Sequence, residues 1–209
     1  AGASGTGSAA ADLEWSDYEI TPQGNRGTLL LRGRALESAR RSSPRGAFAE
    51  GSEEVRLPIS TRLVGGFNVA NTLTALGVGL ALGLDIDKML AEVATFGGVP
   101  GRMETVDEGQ DFLVIVDYAH TPDSVRNVLT TARQFTRNRL IAVIGCGGDR
   151  DKGKRPLMGR EAETYADVVV VTSDNPRSED PVAIIRQILA GLRSPDAAVV
   201  EPGDRKSVV

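Results

Sequence analysis

The chain has 209 residues, 41% of them hydrophobic, with a formal net charge of −4 at pH 7, enough for one large domain or two small ones around a real core. Acidic and basic residues are interspersed, which argues against a dedicated nucleic-acid surface; no apolar run reaches the length of a membrane span, and no basic-then-apolar leader opens the chain. The single Cys146 excludes an internal disulfide and a cysteine-rich zinc site and fits a reducing compartment. A cytoplasmic protein with no nucleic-acid or membrane partner is expected, and a monomer.

Residues 1–11 are Gly-, Ala- and Ser-rich and too poor in apolar side chains to order themselves. Asp12 to about Ile59 reads as β-rich, with short strands at Thr28–Arg32 and Glu54–Ile59 and a hairpin turn at Gly24–Gly27. Arg34 to Gly51 is polar and Arg-rich; Arg40, Arg41 and Arg45 could touch phosphate, but a surface loop is the better expectation. Gly65-Gly66-Phe67-Asn68 then opens a helix that is small or aliphatic on most sides to Leu82, as a helix buried on most sides is. Asn68 and Asn71 stand three apart at its start, so both amides can face one way. Either could be a plain cap. Together they suit an adenine edge, because an amide donates and accepts at once. Asp85 should cap the next helix, which carries Ile86, Met89, Leu90 and Val93 at helical spacing. Gly97-Gly-Val-Pro-Gly101 is the clearest linker, and the charged Arg102 and Glu104 follow it.

Beyond Asp111 strands and helices alternate, which predicts a parallel sheet with helices on both faces. Phe112–Val116 is a continuous apolar strand ending in Asp117-Tyr-Ala-His120; Thr121 should cap the following helix, with Pro122 in its first position. Leu140–Ile144 is the second strand. It runs into a glycine-rich loop crowded with Asp149, Arg150, Asp151, Lys152, Lys154 and Arg155, then a helix from about Pro156. Gly148-x-x-x-x-Gly153-Lys154-Arg155 falls short of a phosphate loop, because Arg155 stands where Ser or Thr must hold Mg²⁺ and two aspartates would repel phosphates. Val168–Val171 is the third strand, ending in Asp174-Asn175-Pro176-Arg177; Asp180-Pro181 repeats the cap-plus-proline start, and Ala197–Val200 is the fourth strand. Three strand ends therefore carry polar clusters, Asp117/His120, Asp149/Arg150/Lys152 and Asp174/Asn175/Arg177, on the edge where open α/β sheets bind ligands. A doubly wound domain is not expected to stop at Asp204–Val209, so the chain reads as a fragment.

Gly-x-Phe67-Asn68-x-x-Asn71, Gly101-Arg102-Met-Glu104, Asp117-Tyr-Ala-His-Thr-Pro122, Gly145-Cys-Gly-Gly-Asp-Arg-Asp-Lys-Gly-Lys-Arg-Pro156 and Asp174-Asn-Pro-Arg177 occur in that order. Together they resemble the Mur ligases, in the branch that adds meso-diaminopimelate. The likeness runs from about Gly65 to Asp204. It implies an α/β fold: residues 12–100 as the end of a central ATPase domain, then residues 101–209 as a Rossmann-like carboxy-terminal domain with a mainly parallel sheet. It also implies ATP and Mg²⁺ as cofactors, UDP-N-acetylmuramoyl-dipeptide and meso-diaminopimelate as substrates, and amide-bond formation through an acyl-phosphate in cytoplasmic peptidoglycan synthesis. By position, Asn68 and Asn71 would lie against adenine, Arg102 would reach ribose or phosphates, and Asp117, with His120 nearby, would take the ribose hydroxyls. Arg150, Asp174, Asn175 and Arg177 would hold the distal end of diaminopimelate, arginines on its carboxylate and Asp174 on its ammonium.

The resemblance is incomplete. The family's Gly-Lys-Thr phosphate loop, its carbamylated lysine and its UDP-sugar domain have no counterpart in this stretch, and 1–209 alone is expected to be inactive. Two rival readings follow. One is another ligase of the superfamily, a lysine-adding enzyme or a folylpolyglutamate synthase, against which Arg177 in Asp-Asn-Pro-Arg discriminates. The other is a non-catalytic nucleotide- or amino-acid-binding module.

Overall fold

The computed structural model describes residues 11–43, 48 and 51–204; nearly all of the low-complexity segment 1–11, Arg45 of the arginine cluster and residues 205–209 lie outside them. The chain divides after Pro100 into two compact units.

Among its described residues the first unit has a three-stranded antiparallel sheet and three helices. Its strands are β1 (Leu13–Thr21), β2 (Gly24–Arg32) and β3 (Glu54–Thr61), in the order β1-β2-β3. The hairpin turn falls at Pro22–Gln23, ahead of the expected Gly24–Gly27, which is strand instead. Thr21 decides this: its Oγ1 donates to the Gly24 carbonyl (3.0 Å) and accepts from the Gln23 N–H (3.2 Å). Pro58 sits in β3, an edge strand, where a missing N–H is tolerated.

The Arg-rich stretch is not a loop over its first half. It forms α1 (Gly33–Ser42), because Leu36 and Ala39 provide a buried stripe three residues apart while Arg34 and Arg41 stay outside. Arg40 donates to the Ser52 carbonyl at 2.8 Å, tying helix to chain. Helix α2 (Gly66–Ala81) departs from expectation differently. Within its unit it packs through one face only, on Val69, Thr72, Leu76 and Leu80, and leaves Val78 56% and Leu82 73% exposed. The Asp85 cap forms, its carboxylate accepting from the Asp87 and Lys88 N–H groups, and α3 (Ile86–Thr95) follows. The core joins Trp15, Leu29 and Leu31 of the sheet to Leu36, Leu76, Leu80 and Ile86 of the helices.

The second unit is α/β. Strands β4 (Glu104–Val106) and β5 (Val114–Val116) pair antiparallel; β6 (Ile141–Ile144), β7 (Val168–Ser173) and β8 (Val199–Asp204) form a parallel sheet in that order. Parallel neighbours need crossovers, which α5 (Lys154–Tyr165) and α6 (Pro181–Leu189) supply. Thr121 caps α4 (Pro122–Phe135) in a reciprocal box with Ser124, with Pro122 at the first position; Asp180 and Pro181 start α6 the same way, Asp180 accepting from the Val182 N–H.

The expectation for Phe112–Val116 needs correction. Phe112 is 63% exposed and precedes the strand, and the short β5 hydrogen-bonds to β4 and not into the parallel sheet. The continuous apolar run therefore does not mark a strand covered on both faces, and two polar strand ends, not three, share the parallel-sheet edge. Val169, Val171, Met158, Ala162, Ile184, Ile185 and Ile188 form this unit's core. Among the described residues no helix is long and apolar enough to cross a membrane.

Candidate functional site

The β6–α5 loop and the β7–α6 loop leave adjacent parallel strands at the same edge and are bound to each other along their length. The Gly148 N–H donates to the Asn175 carbonyl (2.8 Å), and Arg177 Nη1 donates back to the Gly148 carbonyl (2.6 Å). A Cβ on Gly148 would overlap the Pro176 carbonyl, so only glycine permits this approach. Ser178 Oγ donates to Asp149 Oδ1 (2.7 Å), and the Ser178 N–H to Asp149 Oδ2 (3.3 Å). Those two bonds hold the Asp149 carboxyl below its ordinary range.

Beneath the loops lies an ion pair. Arg155 begins the buried face of α5, one turn before Met158 and Gly159 and two before Ala162, and is fully buried. Its Nη2 and Nη1 donate to Glu179 Oε1 (2.8 Å) and Oε2 (3.0 Å), in the two-pronged geometry that suits guanidinium and carboxylate. Nη1 also reaches Gln187 Oε1 (2.7 Å) on α6, and Nη2 the Gly147 carbonyl (3.2 Å). Glu179 Oε1 further accepts from the Asp149 N–H (2.7 Å), and Lys152 Nζ stands 3.2 Å from Oε2. The Arg155 guanidinium first, then the Asp149 N–H, hold the Glu179 carboxyl down to about 2. Arg155, standing where a phosphate loop would carry Ser or Thr, spends its two terminal nitrogens on Glu179, Gln187 and the Gly147 carbonyl. Cys146 is buried against Met158, and burial pushes its thiol up to about 11.

The clamp carries four of the residues singled out from sequence. Arg150 is exposed and makes no hydrogen bond or ion pair among the described residues; Asn175 is exposed and uses its carbonyl in the clamp; Asp174 is half-buried; Arg177 is exposed with one nitrogen committed to Gly148.

A second cluster lies at the end of β5. Asp117 Oδ2 accepts from the Met103 N–H (2.9 Å), and the Tyr118 N–H donates to the Gly101 carbonyl (2.6 Å). These bonds bring Arg102 over the exposed Tyr118 ring, its guanidinium carbon 4.9 Å from the centroid, while the His120 ring lies 4.9 Å from the same centroid and its Nδ1 2.9 Å from the Tyr118 carbonyl oxygen. Arg102 and Glu104 do not pair; Glu104 accepts from the Gly101 N–H at 2.7 Å. In the first unit the two asparagines do face one way. Asn71 Nδ2 donates to Asn68 Oδ1 (3.1 Å), and the buried Asn68 donates to the Val64 carbonyl (2.8 Å), which leaves the exposed Asn71 the freer amide. Among the described residues no three His, Cys, Asp or Glu stand together as a metal cluster.

Residues 101–209 match the family model described as Mur ligase, glutamate ligase domain. The chain belongs to this family. It is 54% identical over 153 residues to the UDP-N-acetylmuramoyl-L-alanyl-D-glutamate–2,6-diaminopimelate ligase of Geobacillus thermodenitrificans, covering 73% of this chain and 31% of that one. It is 46% identical over 200 residues to the enzyme of the same name from Gloeobacter violaceus, covering 95% of this chain and 37% of that one. A solved structure of a ligase of that name superimposes with a TM-score of 0.57 at 34% identity, covering 97% of this chain and 37% of the other. The chain thus spans about a third of the length of the relatives it matches.

Several contributors escape a reading of the sequence. Glu179 and Ser178 look like solvated residues before a helix cap. The spacing of Arg155, Met158, Gly159 and Ala162 was the available signal that Arg155 faces inward. Asn25, buried in β2, donates to the Gly65 carbonyl (2.9 Å) and accepts from its N–H (3.3 Å), fixing the glycine turn that opens α2; nothing near it in sequence announces this.

Proposed function

We propose that this chain is part of an ATP-dependent, amide-bond-forming ligase that adds meso-diaminopimelate to UDP-N-acetylmuramoyl-L-alanyl-D-glutamate in the cytoplasm. Residues 12–100 would end its central ATP-binding domain and residues 101–209 would belong to its carboxy-terminal domain. The observation that carries this reading is the clamp. Arg150 and Arg177 stand exposed on two loops locked together from below, as recognition of a carboxylate by two guanidinium groups requires. Asp174 beside them suits an ammonium. The two relatives compared above are both named diaminopimelate ligases, which agrees with that choice of amino acid.

ATP, when bound, supplies the phosphoryl group that activates a carboxylate as an acyl-phosphate, and Mg²⁺ would accompany it. Tyr118 offers an exposed ring, Arg102 a guanidinium and Asp117 an oxygen besides the one used by Met103, a set that fits a nucleoside phosphate. His120 flanks the ring; in the first unit, considered by itself, Asn71, backed by Asn68, offers an amide of the kind that suits a base edge. The work of the clamp is to hold the distal end of the amino acid so that its other amine is free to attack. The test is choice of substrate. The full-length ligase, given ATP, Mg²⁺ and the UDP-dipeptide, should consume diaminopimelate and use lysine poorly. Preferential use of lysine or of glutamate would overturn the assignment in favour of the lysine-adding or folylpolyglutamate branch.

A further inference from the structure

We infer that Glu179 is a positioning residue for amino-acid recognition: its carboxylate, seated on the buried Arg155, sets the course of the two loop backbones from which Arg150 and Arg177 project. This rests on the reading above, in which those two arginines meet the amino acid. One carboxylate gathers the Asp149 N–H, both terminal nitrogens of Arg155 and Lys152 Nζ, at 2.7, 2.8, 3.0 and 3.2 Å. Three points of the β6–α5 segment are therefore fixed to one point of the β7–α6 loop. Asp149 directly precedes Arg150, and Glu179 lies two residues after Arg177, so the backbone that carries either arginine is tied to the anchor.

The backbone beside each arginine needs such an anchor. Asp149 and Arg177 both have positive φ, 52° and 50°. Residues other than glycine keep that conformation only where their surroundings impose it. Here Glu179 holds the Asp149 N–H, Ser178 holds the Asp149 carboxylate, and the Gly148 carbonyl holds Arg177. Released, both residues would relax toward negative φ and carry their neighbours' side chains with them. An exposed ion pair would contribute little, but this one is seated on a guanidinium with no exposure at all. The carboxylate also stays ionised through the working pH range, since Arg155 holds it down to about 2.

The test is Glu179→Gln in the full-length ligase, with Ser178→Ala as the milder change. Glutamine keeps the shape but offers Arg155 a single acceptor oxygen. The Michaelis constant for diaminopimelate should rise about tenfold or more with Glu179→Gln and about threefold with Ser178→Ala. The constants for ATP and UDP-dipeptide should stay within about twofold, and kcat should change less than the diaminopimelate constant, as loss of amino-acid binding alone requires. If thermal stability falls while the diaminopimelate constant stays put, Glu179 is a structural residue and the inference is overturned. A proportionate loss for all three substrates overturns it too. Should Glu179→Gln fail to fold, Ser178→Ala decides by the same criterion. Arg177→Ala separates the two levels. If it raises the diaminopimelate constant and neither Glu179→Gln nor Ser178→Ala does, the positioning role falls and the site reading stands. If Arg177→Ala has no effect either, the site reading itself has failed and takes the inference with it.

Discussion

The two polar clusters of the second unit look alike in sequence and are built differently. The Asp117–His120 corner and the β7–α6 half of the clamp each follow an apolar strand and precede a capped helix with proline at its first position. The clamp after β6 and β7 has a fully buried arginine beneath it and side-chain bonds across two loops. The Asp117–His120 corner after β5 has a carboxylate on one backbone N–H, an exposed ring and a guanidinium resting on it. Neighbouring parallel strands bring two loops side by side, where they brace one another. A strand paired only with its antiparallel neighbour leaves its loop to local contacts. Rigid support suits recognition of a fixed end of a small molecule, and lighter support suits a group that closes over a ligand as it arrives.

The comparison breaks most visibly if the buried ion pair is removed. Arg155→Met leaves the Glu179 carboxylate without its main partner, and losing one member of a buried pair is strongly destabilising. The melting temperature should fall by about 10 °C, whereas Arg102→Met, at the exposed corner, should leave it within about 2 °C. Calorimetry of both variants checks this, and equal shifts would remove the distinction between the clusters.

Acid should find the same weak point. Glu179 is held down to about 2 in the folded state, against an ordinary value of 4.5. A depressed carboxyl stabilises the fold above its unfolded value and loses that contribution as it takes up a proton. The loss should therefore develop as pH falls from 4.5 toward about 2. Urea unfolding across that range should show a steeper decline for the native protein than for Glu179→Gln, which has no carboxyl to protonate there. Parallel declines would mean that other carboxylates govern acid stability.

A smaller and more selective effect is expected at the corner. Asp117→Ala in the full-length ligase should raise the Michaelis constant for ATP about threefold to tenfold, the worth of one or two hydrogen bonds, without changing the preference for diaminopimelate over lysine. A raised constant for diaminopimelate with ATP unaffected would put Asp117 in the wrong cluster.

The sequence was most legible where local chemistry decides structure. Thr121-Pro122, Asp180-Pro181 and Asp85 start helices through their own side chains, and the valine run at 168–171 is a buried strand because it is central to its sheet. The sequence misled where the outcome depends on remote partners. Gly24–Gly27 resembles a turn, yet Asn25 is drawn into β2 by Gly65, forty positions away. Phe112–Val116 has the composition of a central strand, but hydrogen bonding to β4 decides its place. The arginine-rich stretch hid a helix, since Leu36 and Ala39 are a short stripe among many charges. For the site, the exposed residues could be named from their motifs, while Glu179 could not: its role depends on Arg155 facing inward, which becomes apparent only once the helical spacing to Ala162 is noticed.

The central claim is that Arg177, held over the clamp, reads the distal carboxylate of diaminopimelate. Its Nη1 is committed to the Gly148 carbonyl, which fixes the group and leaves its other N–H groups for a ligand. Lysine lacks that carboxylate, so the pair of amino acids isolates the contact. Steady-state kinetics of Arg177→Ala in the full-length ligase, with each amino acid at saturating ATP, tests the claim most directly. Efficiency with diaminopimelate should fall by at least about 30-fold, the lower range for a lost desolvated charge contact, while the already poor use of lysine changes far less. An equal loss with both amino acids would contradict the account and make Arg177 a prop of the fold or of the nucleotide site.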